Sequence, residues 1–162
     1  MKLILAADEK WGIGKDGTLL CNIPQDLAYF RKRTAGMTVI MGRVTLESLP
    51  GSKGLPKRRN IVITSKKDYV AENAEVVSSI EEAMEKAGTG DDVMIIGGAE
   101  IYRQFLPYCD TCYITKIYED FNADRFFVDL DQDEDFKCSP VADEIQENGI
   151  RYRFFEYTRK GK

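Results

Sequence analysis

Unbroken runs of apolar residues recur along the chain, and segments of mixed polar and apolar residues separate them. The runs are KLILAA at 2–7, TVIMG at 38–42, NIVIT at 60–64 and DVMIIGG at 92–98. None of them alternates apolar with polar positions, as a strand with one wet face would. Each run therefore predicts a short strand that is buried on both faces of a sheet.

Helical segments lie between these runs. They are PQDLAYFRKRT from Pro24, RVTLESL from Arg43, SIEEAMEKAG from Ser79 and AEIYRQFL from Ala99. In the third segment Ser79 and Glu82 have the spacing of a capping box, and Gly88 stands where a helix C-cap is expected. Strands that alternate with helices predict a mostly parallel sheet flanked by helices.

The pattern changes after Pro107. Two further strand patterns, TCYITKIY at 111–118 and RYRFFEYT at 151–158, stand on either side of the acidic stretch DLDQDEDF at 129–136. Because no helical segment separates them, they predict an antiparallel hairpin at one edge of the sheet. The predicted fold class is α/β, a mostly parallel central sheet flanked by helices with an antiparallel C-terminal hairpin edge, in a single domain over residues 1–162.

Composition narrows the class of partner. The chain has 162 residues and a formal net charge of -4, so overall charge attracts neither nucleic acid nor an anionic membrane. No apolar run is long enough for a membrane span or an export signal. We expect a cytoplasmic protein that acts as a monomer on a small-molecule substrate, with no nucleic-acid or membrane partner.

The absence of histidine restricts the chemistry most. It removes the usual general base, the Ser-His-Asp and Cys-His pairs, and imidazole metal ligands. Cys109 and Cys112 form a CxxC pair, but no second pair completes a zinc site, and we expect no metal. Catalysis must then use carboxylates, tyrosines, lysines or a cofactor.

Two glycine-rich segments are candidates for ligand binding. Residues 12–17 match GxGxxG literally, but DEKW separates them from the first apolar run, and Pro24 arrives where a Rossmann helix would already be under way. They form either a mobile loop that closes over a cofactor or an ordinary turn. Gly97 and Gly98 link a strand to a helix, where the backbone can approach a phosphate, although tight packing also favours such a pair.

Donors for a phosphate follow two of the predicted strands. Arg43 and Thr45 come directly after one strand, and Thr64, Ser65 and Lys66 end the next. Ligands of parallel sheets bind at these strand ends, so the group suits an additional phosphate. Taken singly, each residue is also explained as a hydroxyl that caps a helix or as a basic side chain exposed to solvent.

Asp26 is the candidate acid. Asn22 is predicted as the N-cap of the helix, with Asp26 within about its first turn. Asp26 either complements the helix dipole or, with Leu19, Leu20 and Phe30 nearby, sits in an apolar pocket that binds a cationic or amidine-like ring. Burial raises the pKa of such a carboxyl and a helix N-terminus lowers it, so the sequence leaves the direction open.

Six motifs in order resemble the bacterial dihydrofolate reductase family. They are LAAD at 5–8, WGIGKDG at 11–17, NIPQDLAYF at 22–30, VIMGRVTLESL at 39–49, LPKRRNIVIT at 55–64 and IIGGAEIYRQFLP at 95–107. The resemblance implies NADPH-dependent reduction of 7,8-dihydrofolate to 5,6,7,8-tetrahydrofolate, with hydride to C6 and a proton to N5 of the pterin. The alternatives are a reductase of the same fold for another pterin or a riboflavin-pathway pyrimidine, and a non-catalytic nucleotide-binding domain.

The resemblance also assigns roles to single residues. It implies that Asp26 is the catalytic acid and that Arg58 binds the glutamate carboxylate of folate. It also implies that the Gly97–Gly98 turn is a cis peptide beside the cofactor. The implied substrate-binding residues are Leu5, Ala6, Leu27, Phe30, Leu49, Leu55, Arg58 and Thr115. The implied NADPH-binding residues are Ala7, Ile13, Gly14, Gly17, Thr18, Leu19, Gly42, Arg43, Thr45, Thr64, Ser65, Lys66, Ile96, Gly97, Gly98, Ala99, Glu100, Ile101 and Tyr102.

The sequence departs from the family at several positions. Val44 replaces a frequently basic residue, and the loop from Pro50 to Gly54 is slightly long. Cys21 stands where many members carry a tryptophan, and Glu100 stands where a basic residue often lies near the cofactor. The loop from Asp8 to Leu20 is similar to the family's closing lid.

Overall fold

A computed structural model of the chain describes residues 1–17, 20 and 22–161. Its helices are α1 (Pro24–Thr34), α2 (Arg43–Ser48), α3 (Ile80–Ala87) and α4 (Ala99–Phe105). Its strands are β1 (Lys2–Ala7), β2 (Gly12–Gly14), β3 (Thr38–Gly42), β4 (Arg59–Ile63), β5 (Glu75–Val77), β6 (Val93–Gly97), β7 (Thr111–Ile117), β8 (Arg125–Phe126), β9 (Phe136–Pro140), β10 (Ile145–Glu147) and β11 (Ile150–Arg159).

Nine of these strands form one sheet in the order β10-β11-β7-β1-β6-β3-β4-β5, with β9 also paired to β11. The six strands from β7 to β5 in that order run parallel to one another. The strand β11 is antiparallel to β7, β9 and β10. The mostly parallel α/β sheet with an antiparallel C-terminal edge is therefore confirmed.

The core covers both faces of the sheet, as the unbroken apolar runs predict. Successive residues of β1 enter different clusters: Leu3 and Leu5 join the packing on one face, and Ile4 joins the packing on the other. In β3, Ile40 and Met41 divide in the same way, and both are fully buried. This division follows from the alternation of side chains along a strand.

The C-terminal edge contains more strands than the sequence patterns predict. The segments 111–118 and 151–158 do pair in an antiparallel manner, with Tyr152 opposite Ile117. A tight hairpin is instead made by β10 and β11, and Asn148 and Gly149 between them have φ angles of 53° and 79°. Two consecutive positive φ angles at Asn-Gly are the signature of a hairpin turn.

The helix caps agree with the sequence in one case and differ in another. At α3 the Ser79 hydroxyl accepts a hydrogen bond from the Glu82 N–H at 3.1 Å, and Gly88 ends the helix with a φ of 78°. The prediction that Asn22 caps α1 is wrong, because the N-cap is Ile23 and no side chain caps it. Proline at the first helical position lacks an N–H and has a suitable φ, so Pro24 reduces the need for a capping side chain.

Candidate active site

A cleft of about 960 Å³ opens along the carboxyl ends of the parallel strands β1, β6, β3 and β4. Ligands of open α/β sheets bind at this edge. Neighbouring strands lie about 4.8 Å apart, so the cleft extends about 14 Å from the end of β1 to the end of β4. Helix α1 and the segment that contains β2 supply further lining residues. Such a long cleft suits an extended ligand.

Most of the residues that the resemblance assigns are brought together in this cleft. Those lining it are Leu5, Ala6, Ile13, Gly14, Gly17, Asp26, Leu27, Phe30, Gly42, Arg43, Thr45, Leu49, Thr64, Ser65, Ile96, Gly97, Gly98, Ala99, Glu100, Ile101 and Tyr102. Five assigned residues lie off the lining, namely Ala7, Leu55, Arg58, Lys66 and Thr115. Thr18, Leu19 and the departure at Cys21 lie outside the described residues.

Several lining residues were missed from the sequence. They are Ile4, Lys15, Leu20, Ile23, Val44, Ser48, Pro50, Ile63, Arg103, Ile117 and Arg125. Helical spacing could have found Arg103, because it lies three positions after Glu100 on the same helix. Ile117 and Arg125 come from late strands, and nothing local in the sequence indicates that they approach the cleft.

Asp26 lies at the β1 end of the cleft, half-buried on the first turn of α1. Its Oδ1 accepts a hydrogen bond of 2.6 Å from the Thr115 hydroxyl on β7. Thr115 is fully buried, so it reaches the cleft only through Asp26. The pair fixes the carboxyl group between the helix and the sheet.

The pKa of Asp26 is raised above the ordinary value of an aspartic acid. Burial is the main cause, because it penalises the charged form, and the hydrogen bond from Thr115 acts in the opposite direction. The question that the sequence left open is thus resolved in favour of burial. A carboxyl group with a raised pKa retains its proton closer to neutral pH.

Tyr102 lies beside this acid in the cleft. Its hydroxyl donates a hydrogen bond of 2.7 Å to the carbonyl oxygen of Ile4. Burial raises the pKa of the phenol, and the negative charge of Asp26 raises it further. Tyr102 therefore stays neutral and acts as a fixed wall of the cleft.

The Gly97–Gly98 turn lies between the acid and the phosphate donors, at the end of β6. Its peptide bond is cis, as the resemblance implies. A Cβ built on Gly97 would lie 3.3 Å from the Tyr102 ring and 3.4 Å from Thr45 Oγ1. A Cβ on Gly98 would meet only Thr45 Oγ1, at 3.7 Å. The absence of side chains leaves the backbone and the Thr45 hydroxyl open to a ligand such as a dinucleotide, which these residues fit.

The far end of the cleft carries cationic and hydroxyl groups at the ends of β3 and β4. Arg43 lies there with its Nη1 atom 2.8 Å from both carboxylate oxygens of Glu47. Thr64 and Ser65 line the cleft nearby, and the backbone N–H of Lys66 donates to Thr64 Oγ1 at 3.1 Å. The remaining N–H groups of the guanidinium suit a phosphate.

Glu100 is the second acid among the described lining residues, but it differs from Asp26 in its surroundings. Its side chain is 65% exposed and lies 2.6 Å from Arg103 Nη1. Gln104 also donates to it, at 3.2 Å. Paired and hydrated in this way, Glu100 repels an anionic ligand much less than a bare carboxylate would.

The GxGxxG segment is not a Rossmann turn: its first three residues form a strand, and Asp16 and Gly17 form a turn after it. Gly12 to Gly14 make β2, which pairs with β8 in a two-stranded ribbon. The Asp124 N–H donates to the Gly14 carbonyl oxygen at 3.0 Å, and the Asp16 N–H donates to Asp124 Oδ2 at 2.9 Å. Because Ile13 and Gly14 also line the cleft, the ribbon holds one wall of it.

Arg58 is bound to the end of α1. Its Nε donates to Thr34 Oγ1 at 2.9 Å, and its Nη atoms donate to the carbonyl oxygens of Pro56 and Arg31 at 2.7 and 3.0 Å. A guanidinium has five N–H groups, so two remain for a further acceptor. Burial lowers the pKa of Arg58, and the charge of Arg31 lowers it further.

The described residues contain no group of three or more acidic, cysteine or histidine side chains placed to hold a metal ion. Cys109 and Cys112 are free and buried. Burial raises the pKa of the Cys109 thiol to about 12, which makes it a poor nucleophile. In the part of the chain that the structure describes, no helix combines the length and the apolar character needed to cross a membrane.

The cleft lies at the carboxyl edge of an open, mostly parallel sheet. It has an acid at one end and phosphate donors at the other. These features are those of a nucleotide-dependent α/β enzyme. A family model described as dihydrofolate reductase matches residues 1–159. The dihydrofolate reductase of Bacillus subtilis is 37% identical over 161 residues, which cover 99% of this chain and 95% of that protein. The chain belongs to the dihydrofolate reductase family.

Two further relatives agree. The dihydrofolate reductase of Neisseria gonorrhoeae is 37% identical over 158 residues, covering 98% of this chain and 97% of that protein. A solved structure of the Enterococcus faecalis enzyme, described as complexed with NADP(H) and RAB-propyl, has a TM-score of 0.83. It is 35% identical and covers 98% of this chain, with 95% of its own length matched. The family that the six motifs predict is confirmed.

Proposed function

We infer that this chain reduces 7,8-dihydrofolate to 5,6,7,8-tetrahydrofolate with NADPH, and that Asp26 is its catalytic acid. Membership of the dihydrofolate reductase family carries the reaction and the cofactor. The observation that supports the role of Asp26 is its position: a half-buried carboxyl with a raised pKa, at the end of the cleft away from the phosphate donors.

The cofactor supplies the hydride for C6 of the pterin. Asp26 accepts hydrogen bonds from N3 and the 2-amino group of the pterin and promotes delivery of a proton to N5 through water. Its raised pKa suits the task, because a general acid works best when its pKa lies near the operating pH. Thr115 holds the carboxyl group in place, and Leu5, Leu27 and Phe30 exclude water from the ring.

The remaining assigned residues bind the two ends of the ligands. We propose that Leu49 and Leu55 pack against the benzoyl group and that the two remaining N–H groups of Arg58 bind the glutamate carboxylate. Arg43 and Ser65 would bind the 2'-phosphate of NADPH, Thr45 would contact the pyrophosphate, and the Gly97–Gly98 turn would meet the cofactor. The other implied cofactor contacts are Ala7, Ile13, Gly14, Gly17, Thr18, Leu19, Gly42, Thr45, Thr64, Lys66, Ile96, Ala99, Glu100, Ile101 and Tyr102.

One assay tests the function. Loss of NADPH absorbance is followed with and without dihydrofolate, and we expect oxidation only when dihydrofolate is present. Oxidation that requires another pterin or a pyrimidine would identify a related reductase of the same fold. Binding of NADPH without any oxidation would identify a non-catalytic nucleotide-binding domain.

Arg43→Gln is expected to raise the KM for NADPH about tenfold or more and to leave the KM for NADH unchanged. The loss is that of a charge-assisted hydrogen bond to the 2'-phosphate, which NADH does not carry. NADH therefore serves as the control within one variant. Equal increases for both cofactors would contradict the assignment of Arg43 to the 2'-phosphate.

Thr115→Val is expected to move the pH profile of kcat/KM to higher pH. The Thr115 hydroxyl donates to the ionised carboxylate and so lowers the pKa of Asp26. Without that donor the pKa of Asp26 rises further, and the protonated form persists to higher pH. A profile that stays in place or moves to lower pH would show that Asp26 is not the titrating group.

We propose that residues 1–162 form a single domain that acts as a monomer in the cytoplasm and binds no nucleic acid. The match over residues 1–159 and the sheet that draws strands from both ends of the chain support the single domain. The net charge of -4 supports the lack of affinity for nucleic acid. Sedimentation equilibrium tests the monomer, and a mass of twice 18.4 kDa would contradict it.

A further inference from the structure

Lys116 holds its ammonium group among aromatic rings, behind the site already described. It follows Thr115 on β7, so its side chain points to the opposite face of the sheet from the Thr115 hydroxyl. Only 22% of the side chain is exposed. The Nζ atom lies 5.4 Å from the Trp11 ring centre, 4.9 Å from that of Phe155 and 5.5 Å from that of Tyr157. Each distance is within the range of a cation–π interaction.

Asp131 fixes the ammonium in this position. Its Oδ2 lies 2.6 Å from Lys116 Nζ, and its Oδ1 accepts a hydrogen bond of 2.6 Å from the Tyr157 hydroxyl. Partial burial favours the neutral acid, but the hydrogen bonds from Lys116 and Tyr157 outweigh it, so the pKa of Asp131 is lowered. Both oxygens of an ionised carboxylate are thus used, and the lysine is held against the rings.

Trp11 is one of the three aromatic residues that the ammonium contacts. It has a φ of 62° and is 9% exposed, and its ring packs against Tyr157 and Phe127 with centres 6.0 and 6.4 Å apart. Its carbonyl oxygen accepts a hydrogen bond of 2.9 Å from the Phe127 N–H. The next residue begins β2, so Trp11 directly precedes the strand that carries the cleft-lining residues Ile13 and Gly14.

The same aromatic packing continues into the cleft. Phe127 packs edge-on against Tyr102, with ring centres 5.8 Å apart. Tyr102 lines the cleft next to the Gly97–Gly98 turn. A contiguous series of contacts therefore runs from Lys116 through Trp11 to the ribbon, and through Phe127 to Tyr102.

We propose that Lys116 is a positioning residue for cofactor binding, which acts by holding Trp11 and with it the β2 wall of the cleft. The proposal rests on the proposed function for the identity of the cofactor. It assigns Lys116 no contact with either ligand. Its charge is what matters, because an apolar side chain of the same length would lose both the pairing with Asp131 and the attraction to the rings.

Trp11 is the single tryptophan of the chain and so reports on its own environment. In Lys116→Met without cofactor we expect tryptophan emission at longer wavelength and faster quenching by acrylamide, because the ring becomes more exposed. We expect the Kd for NADPH, measured by calorimetry, to rise about fivefold, as the loss of a partly desolvated cation–π contact implies. The kcat at saturating NADPH should stay within about twofold of the wild type. Once NADPH is bound, it holds the β2 wall in the position that binding requires.

Three matched variants separate positioning from general stability. Lys116→Arg keeps the charge and should restore both the emission and the Kd. Arg151→Met removes another cation that has an ion pair, 3.6 Å from Glu144, and a ring contact, 5.6 Å from the centre of Tyr118. It should change neither measurement. If Lys116→Met does not fold, Lys116→Gln replaces it, because glutamine retains a donor for Asp131 without the charge.

A double-mutant cycle tests whether Lys116 acts through Trp11. Adding Lys116→Met to Trp11→Leu should leave the Kd for NADPH as it is in Trp11→Leu alone. Additive effects would overturn the proposal, and so would an unchanged Kd in Lys116→Met or an equal rise in Arg151→Met. Failure of the proposed function would show itself separately, as wild-type protein without dihydrofolate-dependent oxidation of NADPH.

Discussion

Asp26→Asn is expected to lower the turnover of dihydrofolate about a hundredfold or more at neutral pH, the range in which removal of a general acid falls. Asparagine keeps the shape of the side chain and its carbonyl oxygen can still accept from Thr115, so the site stays assembled. The exchangeable proton is lost, and so is the second acceptor oxygen proposed for the pterin N3 and 2-amino group, because the amide NH2 group of asparagine can only donate. Initial rates at saturating NADPH measure the effect.

The pH dependence identifies the proton that is lost. Because the pKa of Asp26 is raised by burial, its proton is held until the pH exceeds the usual range of an aspartic acid. The kcat/KM of the wild type should fall as the pH rises through this pKa, and the profile of Asp26→Asn should lack that limb. An identical limb in both proteins would assign the titration to another group.

Stability supplies the control for folding. A carboxyl whose pKa is raised in the fold costs free energy at every pH above its unfolded value, because the fold disfavours the charged form. The free energy of unfolding of Asp26→Asn at pH 7 should therefore equal or exceed that of the wild type, which denaturation by urea measures.

Glu75→Gln is the control for removal of a carboxylate elsewhere on the protein. It removes an exposed carboxylate that is 2.6 Å from Arg59, and its turnover should be unchanged.

The sequence predicted those features whose cause is local. Apolar runs define doubly buried strands because burial requires that composition, and Ser79 and Gly88 delimit α3 because caps have strict backbone demands. The donors Arg43 and Ser65 could be placed at one edge because parallel strands bring their carboxyl ends together.

Features that depend on distant segments could not be predicted in this way. The Thr115 hydroxyl reaches Asp26 from 89 residues away, and it is the register of β7 against β1 that puts it there. The direction of the pKa shift of Asp26 depends on how deeply the finished cleft buries it. Likewise, the sequence does not predict the strand in the GxGxxG segment, because its partner, β8, is a two-residue strand with no sequence pattern of its own.

Gly97→Ala is expected to weaken binding of NADPH by more than about tenfold and to lower the free energy of unfolding by about 1–3 kcal/mol, the usual cost of a residue held in a disfavoured region. The φ of Gly97 is 123°, which L side chains rarely adopt. The new Cβ would also lie 3.3 Å from two atoms of Tyr102 and 3.4 Å from Thr45 Oγ1.

Tyr102 has little freedom to move away from that Cβ. Its hydroxyl is bound to the Ile4 carbonyl oxygen at 2.7 Å, and its ring packs against Phe127. The strain must therefore be relieved by the Gly97–Gly98 backbone itself, which forms the wall that faces the cofactor. Displacement of a wall by a few tenths of an ångström is enough to disturb several ligand contacts together.

Gly88→Ala is the matched control for backbone strain. Gly88 has a φ of 78°, and a Cβ built on it meets no atom within 4 Å. It should cost about 1 kcal/mol of stability and leave the Kd for NADPH unchanged. If the two variants lost stability equally and both bound NADPH normally, the Gly97–Gly98 turn would contribute to packing and not to cofactor binding. A loss of NADPH affinity confined to Gly97→Ala would instead assign the turn to the cofactor, because only there does the added methyl group press on the cleft.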